Sequence, residues 1–262
     1  MKLNFNLAAV LLFVTLMLSN CYNTNENLSA RQTEPSCEDL TNWKNDGTKH
    51  NTYLATLRNM PSSTTAEESF NYLKNQENLP STFTYSEYKS IFDKYCVNVS
   101  ENKTPLDNLA NDPNLLNNAQ RSFVSQLNQI LTDNVDDQAL LETKVNLLII
   151  DIQKSELTCA EKYPLLSGCE IMKSSSAYWN SEFGGEERSK CSDCMKPKWK
   201  RGLVIGADVV TGIAIAVALG ACLLTPPLTI ACISQLGWIP AGAAAAASSA
   251  MILILCPSCA LK

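Results

Sequence analysis

The chain has 262 residues, a formal net charge of −5 and 45% hydrophobic residues. This apolar content is enough to bury a core, and the acidic balance argues against a basic nucleic-acid-binding protein. The sequence has one histidine and lacks the motifs of serine hydrolases, phosphate-binding loops, dinucleotide-binding folds and zinc proteases. We therefore predict no enzyme activity, no catalytic residues and no cofactor.

The N-terminus has the pattern of an export signal. Lys2 precedes an apolar run from Leu7 to Leu18, which is shorter than the roughly 20 residues of a transmembrane helix and is typical of a signal peptide. Leu18-Ser19-Asn20-Cys21 resembles the bacterial lipoprotein box. We predict a signal peptide over residues 1–20 and lipidation of Cys21, with ordinary signal-peptidase cleavage as the alternative. The polar residues 22–36 are typical of a flexible tether.

Residues 37–172 are predicted to form a polar helical domain of the all-α class. Thr65 and Glu68 match a capping box, which predicts a helix from Ala66 to about Asn75. Apolar residues that recur at three or four positions predict further helices, with stripes from Tyr85 to Tyr95, Leu115 to Leu131 and Leu140 to Ile152. We interpret these stripes as core packing, because an amphipathic helix must bury one face.

The composition changes after this domain. Residues 173–190 contain a serine run, a glycine pair and clustered charges, which is typical of a linker. Residues 190–262 contain six basic and two acidic residues, so their net charge is +4. Residues 1–189 therefore carry a net charge of −9. These opposite charges predict that the two parts attract each other. The basic side chains form a predicted membrane-surface patch at Lys196, Lys198, Lys200 and Arg201.

The C-terminal part is predicted to be a hydrophobic helical hairpin. Leu203–Leu224 is long enough to cross a bilayer at about 1.5 Å per residue, the prolines Pro226 and Pro227 end this helix, and Ala241–Leu255 forms a second, Ala-rich helix. Small residues that mostly recur at intervals of four predict close packing against a partner helix. They are Gly202, Gly206, Gly212, Ala216 and Gly220.

Asp208 is the one ionisable residue other than cysteine between Gly202 and Leu261. A carboxylate that faces lipid costs about 2.5 to 3.5 kcal/mol on insertion scales. We therefore expect Asp208 to face a partner, a pore or the interface. A place in the headgroup layer beside Arg201 is the alternative.

The cysteines predict disulfides. Of the eleven, ten remain if Cys21 is lipidated, and thiols of an exported chain tend to pair. The simplest pairs join Cys37 with Cys96 and Cys159 with Cys169. In the hairpin, disulfides between the two C-x-x-C motifs would join its start to its end, and a further disulfide between Cys222 and Cys232 would close its turn. The cysteines of the two motifs are Cys191, Cys194, Cys256 and Cys259. Two C-x-x-C pairs also form zinc ribbons, but these lie too far apart in sequence, and we predict no metal.

The order of these elements resembles that of halocin-type bacteriocin precursors. The resemblance covers residues 191–262 and rests on Cys191-Ser192-Asp193-Cys194, the later cysteines and the Gly-rich apolar sequence. It implies an N-terminal immunity or masking segment and cleavage near Gly184-Gly185 or Arg188. The freed C-terminal peptide would then bind the lipid bilayer and permeabilise it, either as a monomer or as a homo-oligomer in the membrane.

Two other interpretations stay open. In one, the chain is an envelope lipoprotein anchored by a transmembrane hairpin, and its helical domain binds another protein. In the other, the hairpin is the buried core of one soluble helical protein. A stretch of 53 residues from Val209 to Leu261 without Asp, Glu, Lys or Arg argues against the latter.

Overall fold

The computed structural model describes Cys37, residues 40–58, 65–76, 84–184, 190–223 and 239–257, and Cys259. The predicted signal peptide, Cys21, the tether, Gly185, Arg188 and Cys232 lie outside the described residues. Within the described part every regular element is a helix, which confirms the predicted all-α class. After a 3₁₀ helix at Thr41–Asn45 come α1 (Asp46–Arg58), α2 (Ala66–Gln76), α3 (Tyr85–Cys96), α4 (Pro105–Ala110), α5 (Asn118–Asn134), α6 (Gln138–Lys154), α7 (Cys159–Gly184), α8 (Lys190–Met195), α9 (Lys198–Leu223) and α10 (Ile239–Leu255).

Local sequence sets where several of these helices begin. At α2 the backbone N–H of Thr65 donates to Oε2 of Glu68 at 2.7 Å, and the N–H of Glu68 donates to Oγ1 of Thr65 at 3.2 Å. This is the predicted capping box, which satisfies two otherwise unpaired donors. Equivalent boxes open α3, α4 and α5. The helix predicted from the box at Thr65 is confirmed as α2, and the three helices predicted from apolar stripes are confirmed as α3, α5 and α6.

The linker prediction is wrong over its first part. Helix α7 continues through residues 173–184, and Ser175, Ser176 and Trp179 are buried within it. The serine run suggested a loop because serine competes with backbone hydrogen bonding. In the folded chain the small serine side chains instead face the interior, where they allow close packing.

The hydrophobic hairpin lies at the centre of the described structure. Helix α9 packs along α7 and α10 and also contacts α3, α4 and α5, while α10 packs against α1 and α2 as well. Every residue from Ile239 to Ile252 is buried. One helix of the described part, over Lys198–Leu219, is long and apolar enough to span a membrane, and 83% of its apolar window is buried inside the protein. The predicted C-terminal part therefore shares one hydrophobic core with the predicted polar domain.

The helices α7 and α9 cross at reciprocal glycine contacts. A Cβ atom added to Gly168 would lie 2.5 Å from Cγ1 of Ile213, and one added to Gly212 would lie 2.5 Å from Cδ1 of Ile171. Each glycine thus makes room for an isoleucine of the other helix. The predicted close packing at Gly212 is confirmed, and the partner helix belongs to the same chain.

The other small residues of α9 differ in how closely they pack. Ala216 is buried, and a Cβ on Gly206 would lie 3.2 Å from Cδ of Pro105. Gly202 has no neighbouring atom within 4 Å of such a Cβ, so a packing role for it is wrong in this structure. The surroundings of Gly220 lie outside the described residues.

The disulfides correct part of the predicted pairing. Cys37 is joined to Cys159, with their Cα atoms 5.1 Å apart, and not to Cys96. The thiols of Cys96 and Cys169 are free and buried. Pairing by nearness in sequence failed because the fold brings the start of α7 beside Cys37, 122 positions earlier.

Candidate functional site

The buried carboxylate of Asp208 is the polar centre of the interface between the N-terminal helices and α9. Its Oδ2 atom lies 3.1 Å from Nε2 of His50 on α1. From α7, the hydroxyl of Ser175 donates to the same oxygen at 2.6 Å, and the indole N–H of Trp179 donates at 3.4 Å. Asp208, His50 and Ser175 have no exposed surface. Asp208 therefore faces side chains of its own chain in this structure, and its position relative to a membrane stays a prediction.

The imidazole of His50 lies between two side-chain oxygen atoms. Nδ1 of the ring lies 3.1 Å from Oδ1 of Asn51, and the amide nitrogen of Asn51 donates to the carbonyl of Ser174 at 3.0 Å. Because that bond orients the Asn51 amide, an acceptor oxygen faces each ring nitrogen. Only an imidazolium has two N–H donors. His50 and Asp208 are a close buried pair, which is an ion pair when the imidazole is protonated, although Nε2 is not aligned for a hydrogen bond.

This pair exists only while three helices stay together. A buried charge that loses its partner is strongly destabilising, since its desolvation is no longer compensated. Oδ1 of Asp208 already lacks a hydrogen-bond partner among the described residues. The cluster can therefore hold α9 in place against α1 and α7, and separating the helices leaves Asp208 as an isolated acid in an apolar helix.

A second buried acid fixes α1 to α7. The carboxylate of Asp46 accepts from the Ser167 hydroxyl at 2.6 Å and from the Tyr163 hydroxyl at 3.3 Å. Burial raises the pKa of Asp46 to about 7, against the opposing effect of the Ser167 hydrogen bond. Next to it, Gly47 lies so close to α7 that an added Cβ would overlap the carbonyl of Glu170 and the hydroxyl of Ser174.

The predicted basic patch is partly neutralised by the N-terminal helices. Lys198 Nζ lies 2.6 Å from Oδ2 of Asp136, between α5 and α6, and Arg201 forms an ion pair with the same carboxylate. Lys196 pairs locally with Asp193 at 2.7 Å. The contacts of Lys198 and Arg201 with Asp136 join the two parts of the chain, and ion pairs near the surface contribute about 1 kcal/mol or less each.

The predicted clasp of the hairpin is confirmed for one pair. Cys194, before α9, is joined to Cys256, after α10, with Cα atoms 6.1 Å apart. Cys259 is also disulfide-bonded. The side chains of Cys191, Cys222 and Cys232 lie outside the described residues. Nζ of Lys200 lies 3.4 Å from the carbonyl of Leu255 and 3.2 Å from Sγ of Cys194, so this basic residue caps the end of α10.

Sequence reasoning missed most of this site. It singled out Asp208, but it did not assign a role to His50, Asp46, Ser175 or Trp179. One signal was present: the one acid of the hydrophobic hairpin needs a polar or charged partner if it is buried, and the one histidine of the chain can supply it. In the described part of the chain no group of three or more metal-ligating side chains comes together.

No family model, curated protein or solved structure matches this chain.

Proposed function

We propose that this protein is an exported, bacteriocin-like precursor whose N-terminal helices keep a membrane-active hairpin buried. After release, the C-terminal hairpin inserts into a membrane and permeabilises it. The observation that carries the proposal is the position of α9, because a segment of membrane-spanning length and composition lies buried inside a layer of more polar helices.

The dimensions of the hairpin support insertion. The candidate span of α9, Lys198–Leu219, has 22 residues including its basic first turn, which corresponds to about 33 Å of helix against a hydrocarbon core of about 30 Å. Helix α10 has 17 residues, at the lower end of the range for a membrane span. Its contact surface is rich in alanine from Ala243 to Ala247. Exposing a methyl group costs less than exposing a larger apolar side chain, so such a surface favours release.

The covalent connections support release as a separate fragment. Cys37–Cys159 lies wholly before the predicted cleavage region and Cys194–Cys256 wholly after it. Neither bond crosses residues 185–189. A cut there would leave these two disulfides intact, and neither of them ties the hairpin to the N-terminal helices. Non-covalent contacts such as the His50–Asp208 pair would still hold the two parts together.

Charge supports the target and the masking role. The segment that ends at residue 189 carries −9 and the remainder +4, and Asp136 holds Lys198 and Arg201 in the intact chain. Loss of this acidic contact frees the basic end of α9. Anionic lipid headgroups attract such clustered basic residues, at about 1 kcal/mol per residue close to the surface.

A leakage assay with controlled cleavage tests the proposal. A protease site placed within residues 185–189 allows cleavage of the folded, oxidised protein in the presence of dye-filled vesicles of anionic lipid. We expect no leakage from the intact protein and leakage after cleavage. The wild-type chain with the same protease is the matched control.

Two results would contradict this function. If the cleaved protein and the isolated oxidised fragment 190–262 both leave vesicles intact, the hairpin is the core of a helical protein with another role. If the intact chain inserts stably without cleavage and without leakage, it is an anchored envelope protein instead.

A further inference from the structure

Helix α6 has an apolar stripe on its outer face. Its inner face packs into the core through Leu141, Val145, Leu148 and Ile152. On the opposite side Leu140 is 42% exposed, Leu147 58% and Ile150 42%. Spacings of seven and three positions put these three side chains on one side of the helix. Large exposed apolar groups are normal singly, but a contiguous row indicates a contact surface.

Two charged residues flank the stripe with approximate two-fold symmetry about Leu147. Lys144 precedes Leu147 by three positions and Asp151 follows it by four. Because they are seven positions apart, they lie about 20° from each other around the helix, on the same flank of the stripe. Neither belongs to an ion pair between described residues of the chain.

We propose that this face of α6 binds a second copy of the chain, with the two α6 helices antiparallel and crossing at Leu147. In that arrangement the Leu147 side chains meet at the two-fold axis, and Lys144 of each copy lies opposite Asp151 of the other. A parallel arrangement would place the charged flanks of the two copies on opposite sides of the interface, where Lys144 and Asp151 could not pair. Charge complementarity therefore selects the antiparallel pair.

The charges of the face also favour a protein over a lipid surface as its partner. Around the stripe, Asp137 and Asp151 balance Lys144 and Lys154, so this face has no excess of basic residues. A membrane-docking helix carries an excess of basic residues, because anionic headgroups attract them. An interface formed by a single pair of 17-residue helices buries less surface than a standard interface, which buries about 800 Å² per partner. The dimer should therefore be weak and reversible. The proposal does not depend on release of the hairpin.

Charge-reversed variants of the full oxidised chain test the proposal by sedimentation velocity over a concentration series. We expect a concentration-dependent dimer for wild type and at least a tenfold weaker dimer for Lys144→Asp alone and for Asp151→Lys alone. Mixing the two variants should restore dimerisation, because the introduced aspartate of one variant then faces the introduced lysine of the other, and the native Asp151 and Lys144 also face each other. Glu142→Lys, on another side of α6, is the control that changes charge without changing this pair.

Three results would overturn the proposal. One is a wild-type protein that stays monomeric up to millimolar concentration. Another is a mixture of the two variants that associates no better than either alone. The third is loss of binding to anionic vesicles, with unchanged sedimentation, in Leu147→Asp, which would make the stripe a lipid surface. Circular dichroism of each variant checks that the fold is intact.

Discussion

Nε2 of His50 lies 3.1 Å from Oδ2 of Asp208, and both side chains are fully buried. One residue comes from the first α-helix of the described chain and the other from the hydrophobic helix α9, 158 positions later. The pair therefore forms only when the N-terminal helices cover the hairpin. It joins the two parts of the chain that the proposed function requires to separate.

Removing either partner of this pair should destabilise the fold. We expect His50→Gln to lower the free energy of unfolding by about 3 to 5 kcal/mol, because the carboxylate of Asp208 is left buried without its partner. Asp208→Asn should lower it by less, because an imidazole can be buried in its neutral form. The double variant should lose less than the sum of the two, since no isolated charge remains. Urea denaturation measures all three.

The exposed pair Lys89–Asp93 provides the matched control for this cycle. Both side chains are about half exposed, so Asp93→Asn should change the free energy of unfolding by less than about 1 kcal/mol. Additive losses at His50 and Asp208 would show that the two groups do not interact in the folded chain.

Replacing the acid of α9 with an apolar residue should also favour the membrane. Asp208→Leu removes a charge that costs about 2.5 to 3.5 kcal/mol in the hydrocarbon region. It also leaves His50 without its partner in the folded chain. We expect greater partitioning into vesicles than for wild type, measured by flotation. Unchanged partitioning would mean that Asp208 stays outside the hydrocarbon in the bound state.

The buried Asp46 predicts a pH-dependent stability. Its pKa is raised from 3.8 to about 7, so between these values the folded state binds a proton that the unfolded state has released. The stabilisation is fully present below about pH 4 and is lost as the pH rises through 7. The free energy of unfolding of wild type, relative to Asp46→Asn, should fall over this range. A difference between the two proteins that stays constant from pH 4 to 7 would contradict the raised pKa.

The contact of Gly168 with Ile213 should not tolerate a side chain. A Cβ at Gly168 would overlap Ile213, and forcing extra atoms into a packed core costs about 1 to 3 kcal/mol, so Gly168→Ala should destabilise the protein in thermal unfolding. At Gly202 the space around a new Cβ is empty, and Gly202→Ala should be neutral or stabilising by up to about 1 kcal/mol. Equal effects of the two substitutions would argue against the close crossing of α7 and α9.

The free thiols should be protected from alkylation in the folded protein. Burial raises the pKa of Cys96 and of Cys169, and the thiolate is the reactive form. Iodoacetamide should modify both residues only after denaturation without reductant, as measured by peptide mass spectrometry. The same digest should contain the Cys37–Cys159 and Cys194–Cys256 peptides. Rapid labelling of the native protein at Cys96 would contradict the burial.

Helix positions were predictable because their signals are local. The capping box at Thr65 and the apolar stripes of α3, α5 and α6 depend on residues within a few positions of each other. The apolar character of the hairpin was predictable in the same way, and so was a clasp between its two C-x-x-C motifs, although not the specific pair Cys194–Cys256. Export, lipidation of Cys21 and cleavage near Gly184 stay predictions from the same local patterns.

Contacts between distant residues were decided by the three-dimensional packing. The sequence contained no local signal that Cys37 pairs with Cys159, that α7 extends through the serine run, or that His50 reaches Asp208. An apolar helix needs a non-aqueous environment, and its composition is the same whether lipid or other helices provide it. Only the folded chain revealed that, in this structure, the N-terminal helices surround the hairpin.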